Sequence, residues 1–229
     1  ISNRLIQLPR YYLGLSCLLG GTGFVISTDV LKEMGWGATC LVEDLEFTIR
    51  LVLRGQKVYW AHDAVIYDEK PLKISQSWRQ RKRWMQGHFD CVRRYMKQLL
   101  SKAVREKDII SFDISLHLLQ PLVVVVNGIG MVFSFIRLMS DFRREIDFQT
   151  AVIAFVMMAF LYLSVAFVII EGKLSKTIMK YLLLLPLYNL TWVPIIIQGF
   201  LDRNNKEWIH TIHMRAINIS DIEKVKKAG

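Results

Sequence analysis

The sequence predicts an α/β soluble part that leads through a basic amphipathic helix into about three transmembrane helices. Three observations carry that expectation. Charged and apolar residues are mixed up to about Lys107, then give way beyond Ile109 to long apolar runs with charged punctuation. Glycine turns, apolar runs and a helix-period stretch alternate over residues 1–74, as they do in α/β chains. Between the two parts lies RQRKRWMQG at 79–87, a dense basic run directly upstream of the apolar half.

In chain order, LLGGTGFVIS at 18–27 sets a glycine turn between two apolar runs and reads as strand, tight loop, strand. Ser27 and Thr28 are placed to cap a short helix through Met34, which Gly35 stops. Gly35-Trp36-Gly37 is then a loop. In CLVEDLEFTIRLVLRG, Leu45, Ile49 and Val52 fall at helical spacing, with Glu43 and Asp44 at the start and Gly55 past the end. Residues 57–61 and 64–67 read as strands. From Ser75 onward, Trp78, Met85, Phe89, Val92 and Met96 are interleaved with Arg and Lys. That pattern is an amphipathic helix suited to a membrane interface, spanning 75–108 with its continuation.

Three segments within 109–201 are long enough to cross a bilayer core, which needs about 20 apolar residues of helix. They are 116–136, 151–170 and 181–201. Pro186 and Pro194 in the third break backbone hydrogen bonds and predict a kinked or re-entrant helix. Gln120, Asn127, Asn189 and Gln198 fall at membrane depth, where they either line a wet path or bond helix to helix. In the link 171–180, Lys173, Lys176 and Lys180 favour a cytoplasmic side, in accord with a cytosolic soluble part. Three crossings would then put the basic tail, 202–229, outside against the same rule. Because the chain starts at Ile1 with no signal-like segment before the domain, it is expected to be a fragment of a longer protein.

The formal charge of +10 argues for an anionic partner. The basic residues adjoin apolar spans and no RNA or DNA module is visible, which disfavours nucleic acid and leaves lipid or phosphate. Cys17, Cys40 and Cys91 are odd in number and widely spaced, so neither a zinc site nor a disulfide framework is expected. His62, His88, His117, His210 and His213 show no ligand spacing.

Two constellations carry chemistry. Glu43 and Asp44 either satisfy the amides and dipole of a helix start or act as carboxylates in a site. Gln80, Arg83 and Trp84 stand at i, i+3 and i+4 and share one helical face. A guanidinium forks onto phosphate oxygens, an amide adds a neutral donor and an indole stacks on a sugar ring. A purely lipid-facing helix accounts for Arg79, Arg81 and Lys82 but less well for these three.

VED at 42–44, QRKRW at 80–84 and the following apolar spans together resemble the C-terminal half of membrane-embedded family-2 glycosyltransferases, the group of cellulose, chitin, hyaluronan and poly-N-acetylglucosamine synthases. GGTG at 20–23 is similar to their acceptor loop, and EWIHTIH at 207–213 resembles a tail after their last membrane helix. The resemblance implies that residues 1–74 are the C-terminal part of an inverting GT-A domain. It implies Asp44 as general base, Glu43 in support, and Gln80 and Arg83 on the departing diphosphate. Trp84, Gly21, Thr22 and Gly23 would bind the acceptor.

The implied partners are a UDP-sugar, a polysaccharide or oligosaccharide acceptor and the plasma membrane, with the catalytic part cytoplasmic. Val42 departs from the family by replacing a threonine. The uridine-binding aspartate and the DxD motif are absent from these residues, so Mg²⁺ or Mn²⁺ is implied by the resemblance alone, with no metal ligand in this chain. Two other functions remain open: a non-processive transferase acting on a lipid, and a non-catalytic membrane protein whose basic helix binds anionic lipid.

Overall fold

The computed structural model describes residues 6–140 apart from 65 and 67, scattered positions between 152 and 190, and residues 191–205. Short helix α1 (Leu8–Tyr12) opens the described chain. Helix α2 (Thr28–Met34) ends where Gly35 takes φ of 61° and returns its N–H to the Leu31 carbonyl at 2.9 Å. Ser27 occupies the N-cap position by backbone, but its side chain makes no capping bond.

The expected strands are not formed among the described residues. Residues 15–20 and 56–61 do run together, but with a single backbone bond, Cys17 N–H to Val58 O at 2.9 Å. The next donor, Val58 N–H, goes to the Ser16 hydroxyl at 3.0 Å. A side chain thus takes the place of the ladder that a strand pair needs.

Helix α3 (Glu43–Leu53) buries Leu45, Phe47, Ile49, Leu51 and Val52. Its period-3.6 apolar residues serve two clusters. Phe47 and Leu51 pack with Met34, and Phe47 stacks on Trp36 at 5.1 Å between ring centroids. Leu45, Ile49 and Val52 join Cys91 and Leu99 of helix α4 (Ile74–Arg105) and Ile114 and Leu118 of helix α5 (Ile109–Ser140). The core beneath Glu43 and Asp44 is therefore completed by residues of the apolar half.

Within α5, residues Ile109–Phe133 are long and apolar enough to cross a membrane. The helix starts earlier than the expected span at 116: Asp108 caps it, accepting from the Ile110 N–H at 3.0 Å and the Ser111 hydroxyl at 2.7 Å, and Asp113 pairs with Arg10 at 3.2 Å. Pro121 has no N–H to offer the carbonyl one turn back. The adjacent Leu118 carbonyl accepts from His88 Nε2 of α4 at 3.0 Å, which fixes the proton on that nitrogen. Burial holds the His88 ring neutral, below the ordinary histidine range.

Helix α6 (Trp192–Leu201) contains Pro194 and packs against α4 and α5. Gly199 makes the approach to α4 possible, since a Cβ there would collide with the Met85 side chain. The second expected span, 151–170, is described at a few helical positions only. The 171–180 link, the tail beyond 205, His210, His213 and EWIHTIH lie outside the described residues.

Candidate active site

Asp44 sits in the first turn of α3, where backbone amides have no intrahelical acceptor. The N-cap residue is Val42, which has no side-chain oxygen to offer. Asp44 Oδ1 fills that role for its neighbour, accepting the Leu45 N–H at 2.7 Å. Its Oδ2 faces the GGTG loop: a Cβ on Gly21 would stand 3.5 Å from it. The loop backbone lies directly against the carboxylate, with the Gly21 amide bonding to it. Burial raises the Asp44 pKa above the usual carboxylate range and Glu43 adds to this, while the Leu45 and Gly21 amides work against them.

Thr22 and Gly23 are exposed beside it. Gly23 adopts φ of 71° and presses on Ile66, leaving no room for a side chain.

The second half of the site is α4. Gly87 is where this helix meets the loop before Asp44: a Cβ there would lie 2.8 Å from the Val42 nitrogen and 3.1 Å from the Leu41 carbonyl carbon. Gln80, Arg83 and Trp84 stand seven, four and three residues before Gly87, on the same face of the helix. At about 1.5 Å rise per residue, Arg83 is about 6 Å and Gln80 about 10 Å further along the axis. Gln80 and Arg83 are half-buried and Trp84 is 36% exposed, which leaves its indole available to a ligand.

The opposite face of α4 is committed to α6. Trp78 Nε1 donates to Gln198 Oε1 at 2.9 Å, Gln86 Nε2 donates to the Asp202 carbonyl at 3.0 Å, and Lys82 pairs with the Asp202 carboxylate. Arg81 is 2% exposed, against the expectation of an interfacial cation. It donates to Thr191 Oγ1 at 2.9 Å and lies over the rings of Tyr188 at 4.6 Å and Trp192 at 5.1 Å. Two of the three charges assigned to lipid, Arg81 and Lys82, therefore join helices. A run of basic letters does not say which side of the helix each occupies.

Glu46 was not anticipated. It is 1% exposed and accepts from the Thr39 and Cys40 amides at 2.6 and 2.8 Å and from the Tyr95 hydroxyl at 2.7 Å. Arg94 stands 3.5 Å away and also pairs with Asp90 at 2.6 Å. Burial opposes ionisation of Glu46, but the Tyr95 hydroxyl, the two amides and Arg94 outweigh it and hold the carboxyl below its usual range. Its sequence signal was an acid among the apolar positions of α3. His88 and His117 also come together, with ring centroids 6.1 Å apart, despite their unremarkable spacing.

Among the described residues no group of three or more His, Cys, Asp or Glu gathers closely enough to hold a metal ion. Mg²⁺ or Mn²⁺ therefore finds no donor set in these residues, and no step below is routed through one.

Residues 6–170 match the profile of glycosyl transferase family group 2. An uncharacterized glycosyltransferase of Escherichia coli, YaiP, is 30% identical over 135 residues, covering 55% of this chain and 31% of that relative. A probable glycosyltransferase of Bacillus subtilis, YdaM, is 27% identical over 187 residues, covering 77% of this chain and 43% of that relative. The chain thus spans less than half the length of either. No solved structure gives a significant match. With more than half of its length inside the family profile, the chain belongs to glycosyl transferase family group 2, a family of glycosyltransferases.

Proposed function

We propose that the complete protein transfers a sugar from a UDP-sugar to the growing end of a β-linked polysaccharide, poly-N-acetylglucosamine or similar, at the membrane and coupled to export. The observation that supports this best is the meeting of three segments: Asp44 against the Gly21 backbone, and the Gln80, Arg83 and Trp84 face running on from the Gly87 contact with Val42. In this reading Asp44 accepts the proton of the acceptor hydroxyl as its oxygen attacks the anomeric carbon. A carboxylate with a raised pKa suits that task, since proton transfer is most effective when the base lies nearer the working pH. Gln80 and Arg83 donate to the diphosphate as charge develops on it, and Trp84 stacks beneath the acceptor ring. Glu43 supports Asp44 through its charge. The donor's nucleotide, and any Mg²⁺ or Mn²⁺ with it, is held by residues outside this chain's GT-A portion.

Radiolabelled sugar transfer by the full-length enzyme tests the assignment. Asp44→Asn is expected to lower kcat by at least about 100-fold, the low end of general-base contributions, with nucleotide-sugar affinity retained. Arg83→Lys is expected to weaken UDP binding, because an ammonium does not fork onto two oxygens. Unchanged transfer in Asp44→Asn defeats the base role, and tolerance of both changes favours a non-catalytic, lipid-binding helix. Product length on a gel separates polymer synthesis from transfer to a lipid.

A further inference from the structure

Cys40 and Cys91 are far apart in sequence and touch in the fold, with their Sγ atoms 3.6 Å apart. Cys91 lies one helical turn beyond Gly87 in α4 and is fully buried. Cys40 is half-buried, two residues before Val42. Their hydrogens run in a chain: Cys91 S–H donates to Cys40 Sγ, and Cys40 S–H donates to Asp90 Oδ2 at 3.2 Å. Asp90 is held in turn by Arg94 and Arg93 at 2.6 and 2.9 Å. A disulfide is about 2.05 Å long, so closing this one shortens an existing contact by about 1.5 Å. Cys17 has no such neighbour, since its S–H donates to the Gln7 carbonyl at 3.3 Å.

We propose that Cys40 and Cys91 form a site of reversible oxidation, where a hydroperoxide converts the dithiol to a disulfide tying the loop before Asp44 to the helix that carries Gln80, Arg83 and Trp84. Cys40, the half-buried member of the pair, takes the first oxidation. It attacks the O–O bond, becomes a sulfenic acid and releases the rest of the peroxide as water or alcohol. The Cys91 sulfur then attacks Cys40, and the departing hydroxyl leaves as water with the Cys91 proton, which already points at that sulfur. Two electrons pass from the sulfurs to the peroxide, and a dithiol reductant reverses the change. Such reversible pairs are the form disulfides take in reducing compartments. The bond would fix the spacing between base and diphosphate-binding helix, so transfer slows while it is present. That last consequence rests on the function proposed above.

The test treats full-length protein in membranes with hydrogen peroxide, then dithiothreitol, and follows both peptide mass and sugar transfer. A cross-linked 40–91 peptide, lighter by two hydrogens, is expected in the parent and in Cys17→Ser. It is expected to be absent from Cys40→Ser and Cys91→Ser. Transfer should fall several-fold on oxidation and return on reduction in the parent, while the two serine variants at the pair resist. Failure to find the 40–91 cross-link, with peroxide or with diamide, overturns the oxidation site. A cross-link with unchanged transfer overturns the locking effect. Absence of transfer before any oxidation counts against the glycosyltransferase function and leaves the cross-link readout intact.

Discussion

Asp44 and Glu46 are two carboxylates on one helix, two positions apart, that their surroundings drive in opposite directions. Asp44 is half-buried beside Glu43 and its pKa is raised, whereas Glu46 accepts three hydrogen bonds, pairs with Arg94 and is held low. Removing the neighbouring charge with Glu43→Gln should let the Asp44 pKa fall. The acid limb of the pH–rate profile, where the base becomes protonated, should then move to lower pH. An acid limb at the same pH in parent and variant would show that Glu43 does not act on the proposed base.

Glu46 is expected to act on stability. Its lowered pKa means that its contribution is complete above the ordinary glutamate value and is lost as pH falls through the folded-state value. For Asp44 the sign is reversed, since the fold favours the protonated form and loses stability as pH rises through the window above the ordinary value. Glu46→Gln should cost about 1.5–3 kcal/mol, the range for hydrogen bonds to a charged group. Thermal unfolding in detergent at neutral pH reads this directly, and an unshifted midpoint would contradict it. Sequence spacing was enough to pair Asp44 with a helix start. The roles of Glu46 and Arg81 depended on Tyr95, Arg94, Thr191 and Tyr188, which are remote in the chain and carry no local pattern.

At the scale of elements, α2, α3 and α4 were legible because their signals are local: glycine stops at 35 and 55, acids at 43 and 44, and a long amphipathic period from 75. The strands expected at 18–27 and 57–61 do not form among the described residues, because apolar runs between glycines fit a ladder only where residues that pair with them are in place. Here Ser16 Oγ takes the donor that a second strand bond would have used. The Gln80, Arg83 and Trp84 face was legible, but Gly87, four residues beyond Arg83, is what joins it to the Asp44 loop. Gly87→Ala puts a methyl 2.8 Å from a backbone nitrogen, which a side-chain rotation cannot relieve. The expected cost is about 1–3 kcal/mol, as for other overpacked contacts. Because the displaced atoms precede Asp44, kcat should fall more than that change in stability alone explains. Parent-like transfer in Gly87→Ala would argue that the approach of α4 to the loop is unimportant to the site.

The larger of the two clusters among the described residues is a core shared across the chain. Val42, Leu45, Ile49 and Val52 come from the loop and α3, Cys91 and Leu99 from α4, and Ile114 and Leu118 from α5. The hydrophobicity break near residue 109 was read as the border between a soluble and a membrane part. The packing crosses that border, because the leading turns of α5, within its membrane-length stretch, are paired through Asp113 and buried at Ile114 and Leu118. The full-length protein should remain with membranes through an alkaline carbonate wash, and its release into the supernatant would count against α5 as a span.

The shared core also bears on the order in which the protein matures. Loop, α3 and α4 leave the ribosome before α5, yet the cluster under Asp44 cannot close until Ile114 and Leu118 arrive. His88 likewise has no Leu118 carbonyl to hold until then. Closure of the core under the proposed site thus waits for α5 to be made. A chain cut short before Ile114 would carry an unfinished core beneath Asp44, so the order of synthesis itself delays completion of the proposed site.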